Sequence, residues 1–267
     1  MAISNDSLGD RMKVYEQQET SRHFIPRLPI IVRIDGKNFH TYTRKMAKPV
    51  DSNLQKAMCA ATKALILESN AIIGYTQSDE ITLLLPDDKP VYFESRIFKL
   101  TSVLASIATM EFNRNMPPDK QYATFDCRVF QVPNRYEAIN CLIWRQMDAV
   151  KNSVSALAQV YFSHKQLNHV NTSGKIELLK ELHNVDWHSY SPYFRQGSFF
   201  KKEVVQRKFT ADELKNLPSK HEAHKNPDML VTRNEFKEVY TDFLLKDKDN
   251  RMELIYGTNN LTDFLKS

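Results

Sequence analysis

The stretch Gly74-Tyr75-Thr76-Gln77-Ser78-Asp79-Glu80-Ile81-Thr82-Leu83-Leu84-Leu85 sets two adjacent carboxylates in the middle of an apolar run. Ala71 to Gln77 and Ile81 to Leu85 read as two strands, with Ser78-Asp79-Glu80 as the corner between them. Upstream, Leu28 to Asp35 (L-P-I-I-V-R-I-D) reads as a buried strand, followed by a polar loop from Gly36 to Val50. Asp51 or Ser52 caps a helix to about Ser69, with Leu54, Met58, Ala61, Leu65 and Leu67 at near-helical spacing. Downstream, Pro90 to about Met116 is helical in pattern through Ile97, Leu100, Leu104, Ile107 and Met110, and Pro117-Pro118 ends it. Ala123 to Val132 alternates as a third strand region. Asn134 to about Ser163 carries the longest helical stripe, through Ile139, Ile143, Met147, Val150, Val154 and Leu157.

Strand, helix, hairpin, helix, strand, helix is the order of an α+β domain. It predicts a ferredoxin-like or polymerase-palm antiparallel sheet with helices on one face. The signal changes near residues 165–187, so residues 1–165 are expected to form the palm-like body. Residues 166–267 then form a smaller C-terminal extension. In it, Thr172-Ser173 caps a helix through Leu182, Ser198 to Phe209 is an apolar and basic run suited to a half-buried hairpin, and Glu235 to Leu245 is a further segment.

Composition narrows the classes. The chain has 267 residues, 42% hydrophobic and 26% charged, enough for a sizeable core, with no window of ~18 apolar residues to cross a membrane. The N-terminal M-A-I-S-N-D-S-L-G-D-R lacks a basic, then apolar, export pattern, and the expected location is the cytoplasm. Three widely spaced cysteines exclude a disulfide framework and a C-x-x-C zinc site. His221-Glu222-Ala223-His224 has the wrong spacing for a zincin. With six glycines there is no G-x-x-x-x-G-K-[ST] loop, so a nucleotide has to be held by side chains and metal. The net charge of +5 permits a nucleic-acid partner without requiring one.

In a palm-like sheet the end of the first strand lies beside the hairpin corner, which lets Asp35 and Asp79 face each other. Two unpaired carboxylates there repel. A hard cation relieves the repulsion, and a pair of Mg²⁺ ions is a standard device for phosphoryl displacement. Asp-Gly and Ser-Asp are also ordinary turn formers, which leaves solvent-facing acids as the alternative. Gly36 permits close backbone approach, and Lys37, Asn38, Phe39 and His40 place a cation, an amide, an aromatic and an imidazole in one loop.

Arg33-Ile34-Asp35-Gly36-Lys37-Asn38-Phe39-His40, with Gln77-Ser78-Asp79-Glu80 downstream, resembles the tRNA-histidine guanylyltransferase superfamily, enzymes that add nucleotides to RNA 5′ ends. Ala47-Lys48-Pro49 with Asp51, Arg96 and Lys99, Phe125-Asp126 with Arg128, and Trp144-Arg145-Gln146 with Asp148 extend the match over about residues 5–165. Arg195 to Lys202 resembles the family's basic segment. Where eukaryotic members devoted to histidine tRNA carry His-Ile-Asn-Asn-Leu-Tyr, this chain reads Val150-Lys151-Asn152-Ser153-Val154-Ser155. That resembles the guanylyltransferase-like branch, which extends RNA 3′ to 5′ on a template and repairs tRNA 5′ ends.

The resemblance implies that Asp35, the Gly36 carbonyl and Asp79 hold two Mg²⁺ ions, with Glu80 a supporting acid. Lys37, Asn38, Phe39, His40 and Ser78 would bind ATP and GTP or another nucleoside triphosphate, and Lys48, Arg96 and Lys99 its phosphates. Arg128, Arg145, Asn152, Arg195, Lys201 and Lys202 are candidate RNA contacts. Trp144 and Met147 are expected in the core. The resemblance also implies a tRNA partner and a homotetramer. Two other classes use the same pattern, a palm-fold nucleotidyl cyclase, against which the missing G-G-D-E-F motif counts, and a non-catalytic RNA-binding protein.

Overall fold

The computed structural model describes residues 7–88, 92–226, 228–239 and 250–257. Its centre is a six-stranded sheet in the order β4-β1-β3-β2-β5-β6, antiparallel at every pairing. The strands are β1 (Ile30–Gly36), β2 (Ile73–Gln77), β3 (Glu80–Leu85), β4 (Phe125–Gln131), β5 (Ser198–Lys208) and β6 (Leu230–Val239). The first four, with helices inserted after β1 and β3, make the expected ferredoxin-like palm. β5 and β6 then widen the sheet at the β2 edge.

The helices are α1 (Ser7–Thr20), α2 (Phe39–Tyr42), α3 (Ser52–Ser69), α4 (Ile97–Arg114), α5 (Arg135–Tyr161), α6 (Thr172–His183), α7 (Pro192–Gln196), α8 (Ala211–Asn216) and α9 (Arg251–Tyr256). Asp51 caps α3 by accepting from the amides of Asn53 and Leu54, and Asn134 caps α5 through Glu137. The cap of α6 is Asn171, one residue before the expected Thr172-Ser173, because its Oδ1 accepts from the Gly174 amide. Pro90, the expected start of α4, and residues 240–245 lie outside the described residues. A turn through Phe93, Glu94 and Ser95, all at positive φ, precedes α4, which starts at Ile97.

Strand alternation divides the core. Ile30, Val32 and Ile34 of β1 and Ile81, Leu83 and Leu85 of β3 point to α3 and α4, whereas Ile31, Ile73, Tyr75, Leu84 and Phe199 point to α5 and α9. Helices therefore occupy both sheet faces, where one was expected. The polar positions at the tops of β1 and β3 alternate with residues packed on α3, and α5 covers the side on which those polar groups stand. A third cluster joins the C-terminal half of α5 to α6, Trp187 and Phe194.

The expected stripes hold except at three positions. Leu67, Met110 and Met147 are about half exposed, and Ile66, Phe112 and Gln146 are buried instead. A 3.6-residue period drifts past a strict three-or-four count, and one step moves a side chain off the packed face. Among the described residues no helix is long and apolar enough to cross a membrane.

Candidate active site

The register of β1 builds the site. Asp35 stands opposite Glu80 of β3 and opposite Asp126 of β4, giving three acids in one row across three strands. One step down on the same face, Arg33 stands opposite Thr82 and Arg128. Like charges directly opposite are destabilising, with Cβ atoms ~5 Å apart. The two outer acids are neutralised, Asp126 by Arg128 at 3.5 Å and Glu80 by Arg33 at 3.7 Å and by Arg145 of α5. Arg145 is bidentate, its Nε donating to Glu80 Oε1 and an Nη donating to Oε2 at 2.6 Å, while the same Nη reaches Asp148 at 3.1 Å. Among the described residues, Asp35 alone in the row has no ion-pair partner.

Asp79 joins Asp35 from the hairpin corner. Ser78 takes the left-handed conformation, φ 55°, which turns the chain. The Gly36 amide donates to the Asp79 carbonyl at 3.1 Å and ties the corner to the end of β1. Ser78 Oγ donates to the Asp79 carboxylate at 3.0 Å. Burial pushes the Asp79 carboxyl up to about 6, opposed by the Ser78 hydrogen bond and reinforced by the charge of Asp35.

Both acids open on a cleft of about 660 Å³. One wall is the 43–55 segment, with Lys48, Pro49, Val50 and Asp51. The facing wall is α5, with Asp148, Asn152, Ala156 and Gln159, and Tyr193 and Phe194 close the end. His40 and Ser78 also line it, so His40, Lys48, Ser78, Asn152, Asp35, Asp79 and Glu80 of the expected site are brought together.

Several expected residues lie elsewhere. Phe39 is 4% exposed, its ring against Tyr42, Phe112 and Phe125, so it is a core residue and cannot stack on a base. Gly36 is required by that packing, because a Cβ there would lie 2.2 Å from the Phe39 ring. Asn38 opens α2 at φ 58°, and the exposed Lys37 holds Thr124 by its amide. Arg96 and Lys99 stand at the N-terminal end of α4, whose C-terminal Phe112 meets Phe39. That puts them ~20–24 Å of helix away from the Phe39 end of α4. There Arg96 pairs with Glu94 at 3.1 Å and Lys99 sits over Phe93.

Among the expected RNA contacts, Arg145 is 8% exposed and holds Glu80, which takes it from the surface. Arg195 donates to the Tyr190 carbonyl, Lys201 to the Leu254 carbonyl and Lys202 to Asn70, fixing the C-terminal elements to the sheet. Arg128 and Asn152 are exposed. Sequence reasoning missed Tyr193 and Phe194, which reach the cleft from a distant segment with no motif. It also missed that Trp144, next to Arg145, is 49% exposed.

Three comparisons bear on this geometry. A family model described as Thg1: tRNAHis guanylyltransferase matches residues 9–133, the segment that carries Asp35 and Asp79. A human protein named probable tRNA(His) guanylyltransferase is 30% identical over 230 residues, 79% of this chain and 75% of its own. A bacterial tRNA(His) guanylyltransferase (Thg1)-like protein solved with ATP superposes at TM-score 0.76 and 35% identity over 94% of this chain and 100% of that one. A structure so described with GTP gives 0.71 and 31% over the same shares. On the sheet, the paired aspartates and these likenesses, the chain belongs to the tRNA(His) guanylyltransferase family of nucleotidyltransferases.

Proposed function

We propose that this chain is a Mg²⁺-dependent nucleotidyltransferase that extends tRNA 5′ ends in the 3′ to 5′ direction, either in templated 5′-end repair or in guanylylation of tRNA(His). The observation that carries the reading is the acid row. Arginines neutralise its flanks, while among the described residues no ion pair is made to Asp35 or Asp79. Among the described residues no cluster of three or more His, Cys, Asp or Glu is arranged to hold a metal. Mg²⁺ does not need one. It takes one or two carboxylates and completes its shell with water, backbone oxygen and substrate phosphate, so Asp35, Asp79 and the Gly36 carbonyl fit it. Bound there, Mg²⁺ supplies positive charge to the phosphoryl oxygens and orients them for in-line displacement.

The chain's own groups do the rest. Lys48 and His40, on the wall facing α5, meet the phosphates of ATP or of the incoming nucleoside triphosphate. Ser78 orients Asp79 through its hydroxyl, and Arg145 withholds Glu80 from the substrate side, which makes Glu80 the supporting acid. In the first step the 5′-phosphate of the RNA attacks the α-phosphate of ATP and expels pyrophosphate. In the second, the 3′-hydroxyl of the incoming nucleotide attacks the activated 5′-phosphate and expels AMP. The structures described with ATP and with GTP support a site open to both nucleotides. Residues 1–165 act as the catalytic palm and residues 166–267 as an extension packed on it, within a homotetramer.

The test is extension of a tRNA lacking its first 5′ nucleotide, with Mg²⁺, ATP and the other nucleoside triphosphates. We expect a product one nucleotide longer at the 5′ end and none from Asp79→Ala. Tight RNA binding without extension under varied metals and nucleotides would refute the enzymatic reading.

A further inference from the structure

The face of α5 beside the acid row carries an exposed aromatic side chain that the nucleotide cleft does not use. Trp144 is 49% exposed, and Met147, one turn on, is 46% exposed. The indole is not a loose surface group. The guanidinium carbon of Arg145 lies 4.4 Å from its ring centroid and that of Arg33 lies 5.4 Å away. Arg145 is itself fixed by Glu80 and Asp148. The two cations hold the ring from the protein side while it stays open to solvent.

Its position is set by β1. Arg33 stands two residues from Asp35 on the same face, ~7 Å along the strand, so the indole lies about one nucleotide from the paired aspartates. The ground around it carries both signs of charge on the solvent side, Asp126 and Asp148 lying among its cations. Arg128, beside Arg33 in register, is 56% exposed at its side chain, and Lys151, two turns after Trp144 on α5, is exposed. A rigid indole flanked by cations that reach phosphates is the arrangement by which proteins hold single-stranded nucleic acid.

We propose that Trp144 is a stacking platform for the 5′-terminal base of the RNA substrate, with Arg128 and Lys151 on the adjoining phosphates. The platform keeps the 5′-phosphate over Asp35 and Asp79 while the nucleoside triphosphate occupies the cleft on the other side of α5's polar stripe. This rests on the reading that the site acts on an RNA 5′ end.

Intrinsic fluorescence tests it, because the chain has two tryptophans and Trp187 is only 7% exposed. The full chain is titrated with a 5′-monophosphorylated RNA hairpin whose first nucleotide is unpaired, and with the same RNA abasic at that nucleotide. We expect quenching by the first RNA, most of it lost with the abasic one and all of it lost in Trp144→Phe. Trp144→Ala should weaken RNA binding about tenfold, Trp144→Phe much less, with ATP affinity unchanged in both. Equal quenching by the two RNAs, or unchanged RNA affinity in Trp144→Ala, would overturn the platform. So would a fall in oligomer mass of Trp144→Ala in sedimentation, which would assign the face to a second copy. ATP-dependent adenylylation of the same RNA is followed alongside. Its absence refutes the activity while the quenching still decides the platform.

Discussion

Arg145 grips both carboxylate oxygens of Glu80 across the boundary between α5 and β3, and Glu80 is the residue directly opposite Asp35. The pair joins the helix to the hairpin corner and removes one of three neighbouring negative charges from the cleft. Removing that cation leaves Glu80, facing Asp35, with only Arg33 at 3.7 Å to offset it, so Arg145→Met is expected to cost ~3 kcal/mol by urea denaturation. Adding Glu80→Gln to that variant should recover much of the loss. A double variant no more stable than Arg145→Met would show that the guanidinium acts by its packing on Trp144 instead.

Gly36 meets a steric requirement of the core beneath the site. A methyl group there would lie 2.2 Å from a Phe39 ring atom, and Phe39 is confined by Tyr42, Phe112 and Phe125. Gly36→Ala should lower stability by ~1–3 kcal/mol in thermal denaturation, as overpacking does. Truncating the ring in Gly36→Ala/Phe39→Leu should lessen the effect of the methyl group. An equal penalty in both backgrounds would place the cause in the backbone.

The palm was legible because local signals agreed with it. Alternation in β1, β3 and β4, the Asp51 and Asn134 caps, and the Pro117-Pro118 stop all specify the element that formed. Asp35 and Asp79 were legible as neighbours once the hairpin was placed, since antiparallel register leaves the end of β1 beside the β2–β3 corner. What the sequence did not show depends on the third dimension. Phe39 reads as a loop aromatic until Phe112 and Phe125 close over it. Arg96 and Lys99 read as phosphate ligands until α4 is seen to carry them to the other end of the sheet. The burial of Arg145 and the exposure of Trp144 follow from the rotation of α5 about its axis, and a stripe that mixes Ile143 and Met147 does not define that angle.

Lys48 is the lysine on the cleft wall. With Arg145 held by Glu80 and Asp148, Lys48 and His40 are the other basic side chains lining it among the described residues. Lys48→Ala is expected to raise the ATP dissociation constant about tenfold in calorimetry at fixed Mg²⁺, the loss of one charge-assisted contact. Lys201→Ala, whose ammonium instead holds the Leu254 carbonyl, should leave it unchanged. Equal weakening by both would point to long-range charge rather than contact.

Asp79 gives the fold a pH dependence of definite sign. Its carboxyl is pushed from 3.8 up to about 6, first by burial and then by Asp35. A carboxyl with a raised folded-state pKa binds its proton more tightly in the native protein than in the unfolded chain. Without divalent cation, stability should therefore fall as pH rises from about 4 to about 6, with the cost complete above that. Two pKa units correspond to ~3 kcal/mol, and partial exposure of the carboxylate reduces this to ~1–2 kcal/mol. Asp79→Asn should flatten that segment of the stability curve, and Mg²⁺ should stabilise the parent protein above pH 6 more than it stabilises the variant. A curve whose slope between pH 4 and 6 is the same in both proteins would show that Asp79 titrates as an ordinary exposed acid, and the cleft would then lose the charge that draws the cation.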